Sequence, residues 1–238
     1  MEGITVVNGK EIREGIHDGF PIFLGYFTTA LAFGLLTRTS GFLFVEGVLT
    51  SMITFAGSGQ FLMMNLYNAG SFLASIIVSV FFINSRYIFM ASSLSQRLAD
   101  PSSIAGRLMC GFGTVDEVFT VASFKGRKLS YSYMAGLIFT SYVGWVSGTA
   151  IGSLGGTFLP AVVQKAAVIT VYAMFASLLG SETRRGIKAF LVASVSALLN
   201  SLLILVLGLS TGLSFLISMI IATVFGALLY TDEEAGLE

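Results

Sequence analysis

Long apolar stretches separated by short polar turns make up almost the whole chain. They cover residues 20–37, 42–66, 71–93, 104–124, 132–154, 161–180, 187–208 and 211–230. Each is close to the roughly 20 residues that a helix needs to cross a bilayer. The pattern therefore predicts an all-α polytopic membrane protein with seven or eight transmembrane segments.

The fourth stretch, residues 104–124, is the weakest of the eight because it contains Arg107, Asp116 and Glu117. An arginine or aspartate at mid-bilayer costs about 2.5–3.5 kcal/mol on insertion scales. The segment either crosses, which gives eight spans, or enters the bilayer and returns on the same side, which gives seven.

Loop charges help to orient the chain, because lysine and arginine collect on the cytoplasmic side. With eight spans and both termini inside, the basic residues of the N-terminal segment and of loops 125–128 and 184–188 are cytoplasmic. If residues 104–124 re-enter and the N-terminus lies outside, Lys10 and Arg13 become external, while both loops keep their side. Both arrangements predict a cytoplasmic C-terminus and cytoplasmic loops at 125–128 and 184–188.

Composition agrees with a membrane location. Hydrophobic residues make up 55% of the chain and charged residues 11%, whereas soluble chains average about 25% charged residues. The net charge of zero provides no basic surface for nucleic acid. With one cysteine, Cys110, and one histidine, His17, the chain has neither an internal disulfide pair nor the spacing of a zinc site. We expect no metal and no cofactor.

The charge pattern along the chain predicts one membrane domain with short polar ends. Residues 1–19 form a polar N-terminal segment that lacks the apolar core and cleavage site of a signal peptide. A single transmembrane domain covers residues 20–230, and residues 231–238 form an acidic C-terminal tail.

A faint internal repeat runs through this domain. GYFTTALAFG at 25–34 resembles SYVGWVSGTAIG at 141–152, and Asn84 corresponds in order to Asn200. Short apolar segments also match by chance, so a duplication and a coincidence both stay open. Duplicated halves would be parallel if residues 104–124 cross the bilayer. They would be inverted, as in many transporters, if those residues do not cross.

The second apolar stretch contains TFAGSGQF, which places Gly57, Ser58, Gly59 and Gln60 in the middle of a predicted span. Each glycine weakens a helix by roughly 1 kcal/mol relative to alanine. A break here would free backbone groups that hydrocarbon cannot satisfy, and transporters place substrates and ions at such breaks. The sequence therefore predicts a broken second helix with a substrate site, although small residues also serve close helix packing.

Two further polar positions interrupt apolar sequence. In FFINSRYIF, Asn84 and Arg86 lie about two-thirds of the way along the third stretch, where Arg86 either reaches an interface or faces the protein interior. In TVDEVF, Asp116 and Glu117 are adjacent and would point about 100° apart on a helix. Intramembrane carboxylates are candidates for proton transfer or ammonium binding, whereas at a helix end they would be ordinary solvated charges.

Glycines recur every four residues in the fifth stretch, GWVSGTAIGSLGG. The positions are Gly144, Gly148, Gly152 and Gly156. They form one small face on a helix, which is typical of close helix–helix contact in membranes. We interpret this face as a packing surface for a neighbouring helix or a partner subunit rather than as a ligand site.

The order of these motifs resembles the AzlC family of branched-chain amino-acid exporters. The similarity runs over roughly residues 10–185, and its most specific part is FAGSGQ followed by NSR and then by the acidic pair DE. Tyr87 follows Arg86 where we expect the family to have histidine, and Phe119 and Thr120 also vary the pattern. These differences affect expectations about substrate more than about fold.

The resemblance implies a multi-pass protein of the prokaryotic cytoplasmic membrane that exports amino acids such as leucine, isoleucine and valine. It also implies a small second membrane subunit of the AzlD type, and a homo-oligomer is compatible with it. Arg86 or the start of a half-helix at Gly57–Gln60 would bind the substrate carboxylate. Asp116 or Glu117 would contact its ammonium group or carry a coupling proton.

Three other classes stay open at this point. A channel is disfavoured because the sequence has neither a repeated carbonyl filter motif nor a ring of charges. An enzyme is disfavoured because the single histidine lies before the first span and Ser58 has no evident base. The chain also has no phosphate-binding GxxxxGK[ST] motif, so energy for transport would come from an ion or substrate gradient or from a separate ATPase chain. The third alternative is a non-catalytic membrane subunit of a larger complex.

Overall fold

The structure is a computed structural model, and it describes residues 8–99, 103–126, 128–155, 187–209 and 211–234, with positions 176, 179, 180 and 183. The predicted span at 161–180 lies almost wholly outside these residues. Gly156, Arg127, Arg184 and Arg185 also lie outside them.

The described residues are almost entirely helical, which confirms the all-α prediction. The helices are α1 (Gly9–Thr39), α2 (Phe44–Thr54), α3 (Gly57–Asn68), α4 (Leu73–Asn84), α5 (Arg86–Ser95), α6 (Ile104–Gly113), α7 (Asp116–Ser123), α8 (Tyr131–Gly155), α9 (Ile187–Leu205) and α10 (Thr211–Glu234). Within the part of the chain that the structure describes, four stretches are long and apolar enough to cross a membrane: Gly9–Thr39, Leu73–Ser95, Tyr131–Gly155 and Thr211–Leu229.

The chain divides into two compact units. The first consists of Met1–Phe61 and Phe82–Val168, and the second of Leu62–Phe81 and Ile169–Glu238. Every predicted site residue belongs to the first unit. A single domain over residues 20–230 stays a prediction.

The first unit is built around a parallel pair of long helices, α1 and α8. Gly136 faces the backbone of Ile12 near the start of both helices, and Gly152 faces Leu31 near their ends. A Cβ atom on Gly152 would lie only 2.1 Å from the carbonyl oxygen of Leu31. The two backbones therefore touch, as the four-residue spacing of small residues favours in membranes.

The start of α1 and the start of α8 lie at the same end of this unit, which we call end A. The backbone N–H of Asn8 donates to Ser132 Oγ at 3.0 Å. The Lys125 ammonium lies 2.7 Å from Asp18 and 2.8 Å from Glu14. Hydrogen bonds to these carboxylates raise the pKa of Lys125, and the bond to Asp18 has the larger effect. The ammonium is therefore charged at neutral pH.

The contacts at end A place the N-terminal residues of α1 beside loop 125–128. The seven-span arrangement required the N-terminus to lie on the opposite side from this loop, which is inconsistent with the Asn8–Ser132 hydrogen bond and with the ion pairs of Lys125. If the repeat of 25–34 and 141–152 is genuine, the two matching helices are parallel. The opposite end of the unit, where α1 and α8 finish, is called end B.

Residues 104–124 form a helical hairpin that enters from end A. The Tyr131 hydroxyl donates to the Ser103 carbonyl at 3.4 Å beside the start of α8. Gly106 of α6 faces Tyr131, and Gly113 faces Ile138. Both pairs are separated by seven residues along their helices, in the same direction. Helix α6 therefore runs parallel to α8 from end A into the middle of the unit.

The second half of this segment returns to end A. The backbone is extended at Thr114 and Val115, between α6 and α7. At the start of α7, Glu117 accepts a hydrogen bond from Tyr26, midway along α1. At its other end, Lys125 reaches Asp18. The segment therefore turns back at Thr114–Val115, and the eight-span option, in which it crosses, is not what the structure shows.

The second predicted span is also a hairpin, and it enters from end B. Along α2, Gly47 faces Thr37 near end B, and Ser51 is hydrogen-bonded to Thr149 at 2.7 Å. The chain then reverses, because the Gln60 amide of α3 reaches back to Ser51 at 3.2 Å. An apolar run of this length therefore does not mark one crossing helix.

The break in this hairpin lies before the glycines to which the sequence analysis assigned it. Phe55 ends α2 with a φ of 33°, a left-handed conformation that is uncommon for a bulky residue. Gly57 and Gly59 instead belong to the first turn of α3. A Cβ on Gly57 would lie 2.8 Å from the Trp145 ring, so this glycine serves close approach rather than the chain reversal.

Helices α4 and α5 follow one direction through the joint at Ser85. Ser85 keeps right-handed helical angles, so Asn84 and Arg86 flank a local interruption without a reversal. Beyond α5, Arg97 Nη1 donates to the Ser123 carbonyl, and Leu98 pairs with Leu129. Helix α5 therefore runs from the middle of the first unit to end A.

In the second unit, α9 and α10 form an antiparallel pair. Lys188 Nζ donates to the Leu229 carbonyl at 2.9 Å, and Gly226 faces Val192. Helix α10 continues through residues 231–234, the first half of the predicted acidic tail.

Candidate functional site

The three interrupted segments of the first unit meet at Arg86. Its Nη2 atom lies 2.7 Å from Ser58 Oγ at the start of α3. The same nitrogen lies 2.8 Å from Asp116 Oδ2 at the start of α7. One guanidinium nitrogen therefore joins the tips of two hairpins that enter from opposite ends. Ser58, Asn84, Arg86 and Asp116 are called the central cluster.

Two buried polar atoms of the central cluster have no hydrogen-bond partner in the structure. They are Arg86 Nε, a donor, and Asn84 Oδ1, an acceptor. The Arg86 and Asp116 side chains nevertheless remain 38% and 27% exposed, so the ion pair borders open space. A buried polar atom without a partner costs about 1–3 kcal/mol, and such atoms call for an explanation.

Gly59 explains how the Asn84 amide fits against the first turn of α3. A Cβ at position 59 would lie 2.7 Å from Asn84 Nδ2 and 2.8 Å from Oδ1. Any side chain there would push the amide away. Gly59, Asn84 and Arg86, which the sequence predicts as substrate-binding residues, thus lie close together in the structure. Gly59 leaves room for the Asn84 amide and provides no polar side chain.

The two adjacent carboxylates separate as their spacing predicts. Asp116 pairs with Arg86, whereas Glu117 accepts a hydrogen bond from the Tyr26 hydroxyl. The Tyr26 ring lies edge-on to Trp145 with centroids 5.4 Å apart. Sequence analysis missed Tyr26, and the only available signal was a hydroxyl in the middle of the first apolar stretch.

Gln60 is 1% exposed and is turned away from Arg86 into the packing of α2, α3 and α8. Its Oε1 accepts from Trp145 Nε1 at 2.7 Å, and its Nε2 donates to Ser51 Oγ. Ser51 in turn is hydrogen-bonded to Thr149. Both ends of the amide are therefore used within the protein, and a direct contact with substrate stays a prediction for this residue.

We expect Gln60→Ala to lower stability before it affects substrate affinity. The substitution leaves the buried Trp145 N–H without an acceptor, which costs about 1–3 kcal/mol. Thermal unfolding in detergent is followed by circular dichroism rather than by fluorescence, because Trp145 is the single tryptophan of the chain and one of the compared variants lacks it. Trp145→Phe in the Gln60→Ala background removes the orphaned donor and should recover part of the loss. Unchanged melting with lost transport would instead place Gln60 in the substrate site.

The small face of α8 is occupied by α1. Gly144, Gly148 and Gly152 lie against the carbonyl oxygens of Phe23, Phe27 and Leu31, respectively. Sequence analysis did not single out the matching glycines of α1, Gly15, Gly19 and Gly34, which face α8 in the same way. Gly15 and Gly19 are four residues apart, but Gly34 follows only 15 residues later, so the three do not form a continuous four-residue repeat.

Comparison with known proteins assigns the chain to a family. Residues 21–159 match the family described as AzlC protein. The chain belongs to the AzlC family. The AzlC match covers both hairpins and every residue of the central cluster.

Three relatives of the chain are named as membrane or transport proteins, and one of them carries the name AzlC. An "Uncharacterized membrane protein" of Archaeoglobus fulgidus is 35% identical over 79% of this chain and 85% of its own length. "Inner membrane protein YgaZ" of Escherichia coli is 34% identical over 78% of this chain and 79% of its own. "Branched-chain amino acid transport protein AzlC" of Bacillus subtilis is 24% identical over 58% of this chain and 55% of its own. No solved structure matches the chain.

Proposed function

We propose that this AzlC-family protein is a secondary transporter that exports branched-chain or other small amino acids across the cytoplasmic membrane. The observation that carries the proposal is the pair of unpartnered buried atoms, Arg86 Nε and Asn84 Oδ1. An amino acid brings a carboxylate that accepts and an ammonium that donates. The two atoms supply one complementary contact for each group.

The position of the central cluster supports the same function. It lies where the starts of α3 and α7 meet, and broken helices in transporters bind substrates at such points. Arg86 can bind a carboxylate through Nε while Nη2 still holds Ser58 and Asp116. A substrate ammonium that also attracts Asp116 would weaken the contact between Arg86 and the end-A hairpin. Alternating access would then follow from releasing one hairpin tip at a time.

Basic residues support a cytoplasmic location of end A. Arg38 is the basic residue that the structure describes near end B of the first unit. End A carries Lys10, Arg13, Arg97, Arg107, Lys125 and Lys128. Because lysine and arginine collect on the cytoplasmic side, we place end A in the cytoplasm. The N-terminus is then cytoplasmic.

Other parts of the proposal rest on the family resemblance. They are the absence of enzymatic activity, a small AzlD-type membrane subunit and cytoplasmic placement of the C-terminus and loop 184–188. The name of the Bacillus subtilis relative favours branched-chain amino acids as substrates.

Counterflow in proteoliposomes tests the function directly. Vesicles loaded with unlabelled leucine should accumulate labelled leucine, isoleucine or valine, and the rate should saturate with concentration. The assay is run with a panel of amino acids, with and without a pH gradient. A flux that rises linearly without saturation would indicate a channel, and exchange of none of the amino acids would refute the proposal.

We expect Glu117, rather than Asp116, to carry any coupling proton. Asp116 is paired with the permanent charge of Arg86, whereas the hydrogen-bond partner of Glu117, Tyr26, is neutral. Glu117→Gln should therefore flatten the pH dependence of export while binding persists. Asp116→Asn should instead weaken substrate binding at every pH. Measuring export from pH 5 to 8 in both variants separates the two roles. An unchanged pH profile in Glu117→Gln would show that Glu117 does not carry a coupling proton.

A further inference from the structure

A cavity of about 560 Å³ separates α5 from α6 on the end-A side of the central cluster. Its two walls follow helical periodicity, with Ile88, Ala91 and Ser95 on α5, and Arg107 and Gly111 on α6 followed by Thr114 directly after that helix. The volume lies within the range of about 300–1,000 Å³ that is usual for small-molecule sites.

The cavity leads from end A towards the ion pair. Its outer part is lined by Leu98 and Ile104, and Leu98 pairs with Leu129 at end A. Its inner part is lined by Ile88, two residues after Arg86, and by Thr114, two residues before Asp116. Both walls therefore finish beside the central cluster.

We propose that this cavity is the end-A vestibule of the transporter and binds an amino acid with a branched apolar side chain on its way to Arg86. The inference rests on the proposed function and adds a second binding position to it.

The lining suits a small amphiphile with one negative group. Ile88, Ala91 and Leu108 offer apolar surface, while Ser95 and Thr114 place hydroxyl groups along the path. Arg107 stands on the outer half of α6, and the structure shows no ion pair for it within the part of the chain that it describes. Its free charge would attract a carboxylate at the mouth of the cavity.

A lipid acyl chain is the main competing occupant, because Ile104 and Leu108 are exposed on the open side of the cavity. Two features favour the amino acid. The inner end of the cavity approaches an ion pair, which an acyl chain solvates poorly. The hydroxyl-bearing lining would likewise be better matched by a polar solute than by hydrocarbon.

The single cysteine of the chain provides a direct probe. Cys110 lines the cavity and is 4% exposed, so a reagent that labels its thiol must enter through this space. We suggest measuring the labelling rate of the wild-type protein in proteoliposomes with 2-sulfonatoethyl methanethiosulfonate, a small anion that does not cross bilayers. The side of entry is identified in parallel with Lys128→Cys in a Cys110→Ser background, because Lys128 is exposed in the end-A loop.

We expect Cys110 and the Lys128→Cys reporter to be labelled from the same side. L-leucine should slow the labelling of Cys110 in a saturable manner, and glycine, which has no side chain, should not. Arg107→Gln should reduce the labelling rate of Cys110. Labelling in detergent but not in bilayers would indicate a lipid occupant and overturn the proposal. Labelling that leucine does not slow would overturn it equally.

A matched pair of variants tests the role of the cavity in transport. A Cβ at Gly111 would have no atom within 4 Å, so Gly111→Leu starts its side chain in open space and reduces the volume of the cavity. We expect the KM for leucine to rise roughly tenfold, which is the effect of one extra or missing methylene group in an apolar pocket. The KM for alanine should change less. Ala105→Leu, on the same helix but outside the lining, should behave as wild type.

The two proposals fail in different ways. If wild-type vesicles exchange leucine but leucine does not protect Cys110, the vestibule proposal is wrong and the proposed transport function is still supported. If leucine protects Cys110 but no amino acid is exchanged, the binding position stands and the transport function is wrong. A Gly111→Leu variant with wild-type KM for leucine would also overturn the vestibule.

Discussion

Gly152→Ala should prevent assembly of the first unit, although it adds only one methyl group. The new Cβ would lie 2.1 Å from the Leu31 carbonyl oxygen, which is backbone and cannot rotate away. Helix α1 must then move from α8, and overpacking of a tight contact costs about 1–3 kcal/mol or more. Because lipid is as apolar as the added methyl group, no burial offsets the lost contact. We expect little monodisperse protein in detergent and a strong loss of transport.

Gly25→Ala is the matched control for this substitution. Gly25 lies on α1, but a Cβ there would have no atom within 4 Å. Alanine should improve local helix stability by about 1 kcal/mol, and the protein should assemble normally. Size-exclusion profiles and thermal unfolding of both variants decide the comparison. A Gly152→Ala protein that assembles and melts like wild type would show that the α1–α8 contact is looser than the structure indicates.

Arg86→Gln should strongly reduce transport in a protein that still inserts into the membrane. The substitution removes the charge that holds Asp116 and the donor Nε that we assign to the substrate carboxylate. Removing one partner of a buried ion pair costs about 3–5 kcal/mol, and the partial exposure of this pair argues for a smaller value. We expect kcat/KM for leucine to fall by about two powers of ten or more, the lower part of the range for such truncations.

Arg86→Lys separates charge from geometry. Lysine keeps the positive charge, but its three N–H donors lie on one nitrogen, so it cannot hold Ser58 and Asp116 at one point while it binds a carboxylate at another, as a guanidinium can through Nη2 and Nε. We expect transport to stay low in this variant. Arg38→Gln controls for the loss of an arginine, since Arg38 donates to the Phe42 carbonyl near end B. Wild-type transport by Arg86→Lys would show that the charge alone is sufficient, and wild-type transport by Arg86→Gln would exclude the site.

Sequence reasoning identified the polar positions but not the path of the chain between them. Residues 42–66 and 104–124 have the length of spans, yet each is two short helices with a reversal. Hydropathy reports the solvent around a segment, and a hairpin buried in protein has the same composition as a crossing helix. The reversal at Phe55 could not be foreseen, because a phenylalanine carries the left-handed angle there.

The central cluster was predictable residue by residue and not as a set of contacts. Ser58, Arg86 and Asp116 stand out because each is costly in hydrocarbon. That one nitrogen of Arg86 serves both other residues depends on where two hairpin tips lie, which no local pattern encodes. Gln60 shows the reverse case. The sequence suggested that its amide could bind substrate, but the amide is hydrogen-bonded to Trp145 and Ser51 inside the protein.

The parallel pairing of α1 with α8 also sets the order of events during synthesis. Helix α1 leaves the ribosome first, yet the surface that covers its glycines is made only after both hairpins have been translated. Until α8 arrives, a half-helix such as α3 or α7 that entered hydrocarbon would expose unsatisfied backbone groups at its broken end. The hairpins must therefore wait at the interface or in the insertion machinery. In a nascent chain arrested before residue 131, cysteines placed in α3 or α7 should accordingly react with water-soluble thiol reagents, whereas in a chain extended past residue 155 they should be protected.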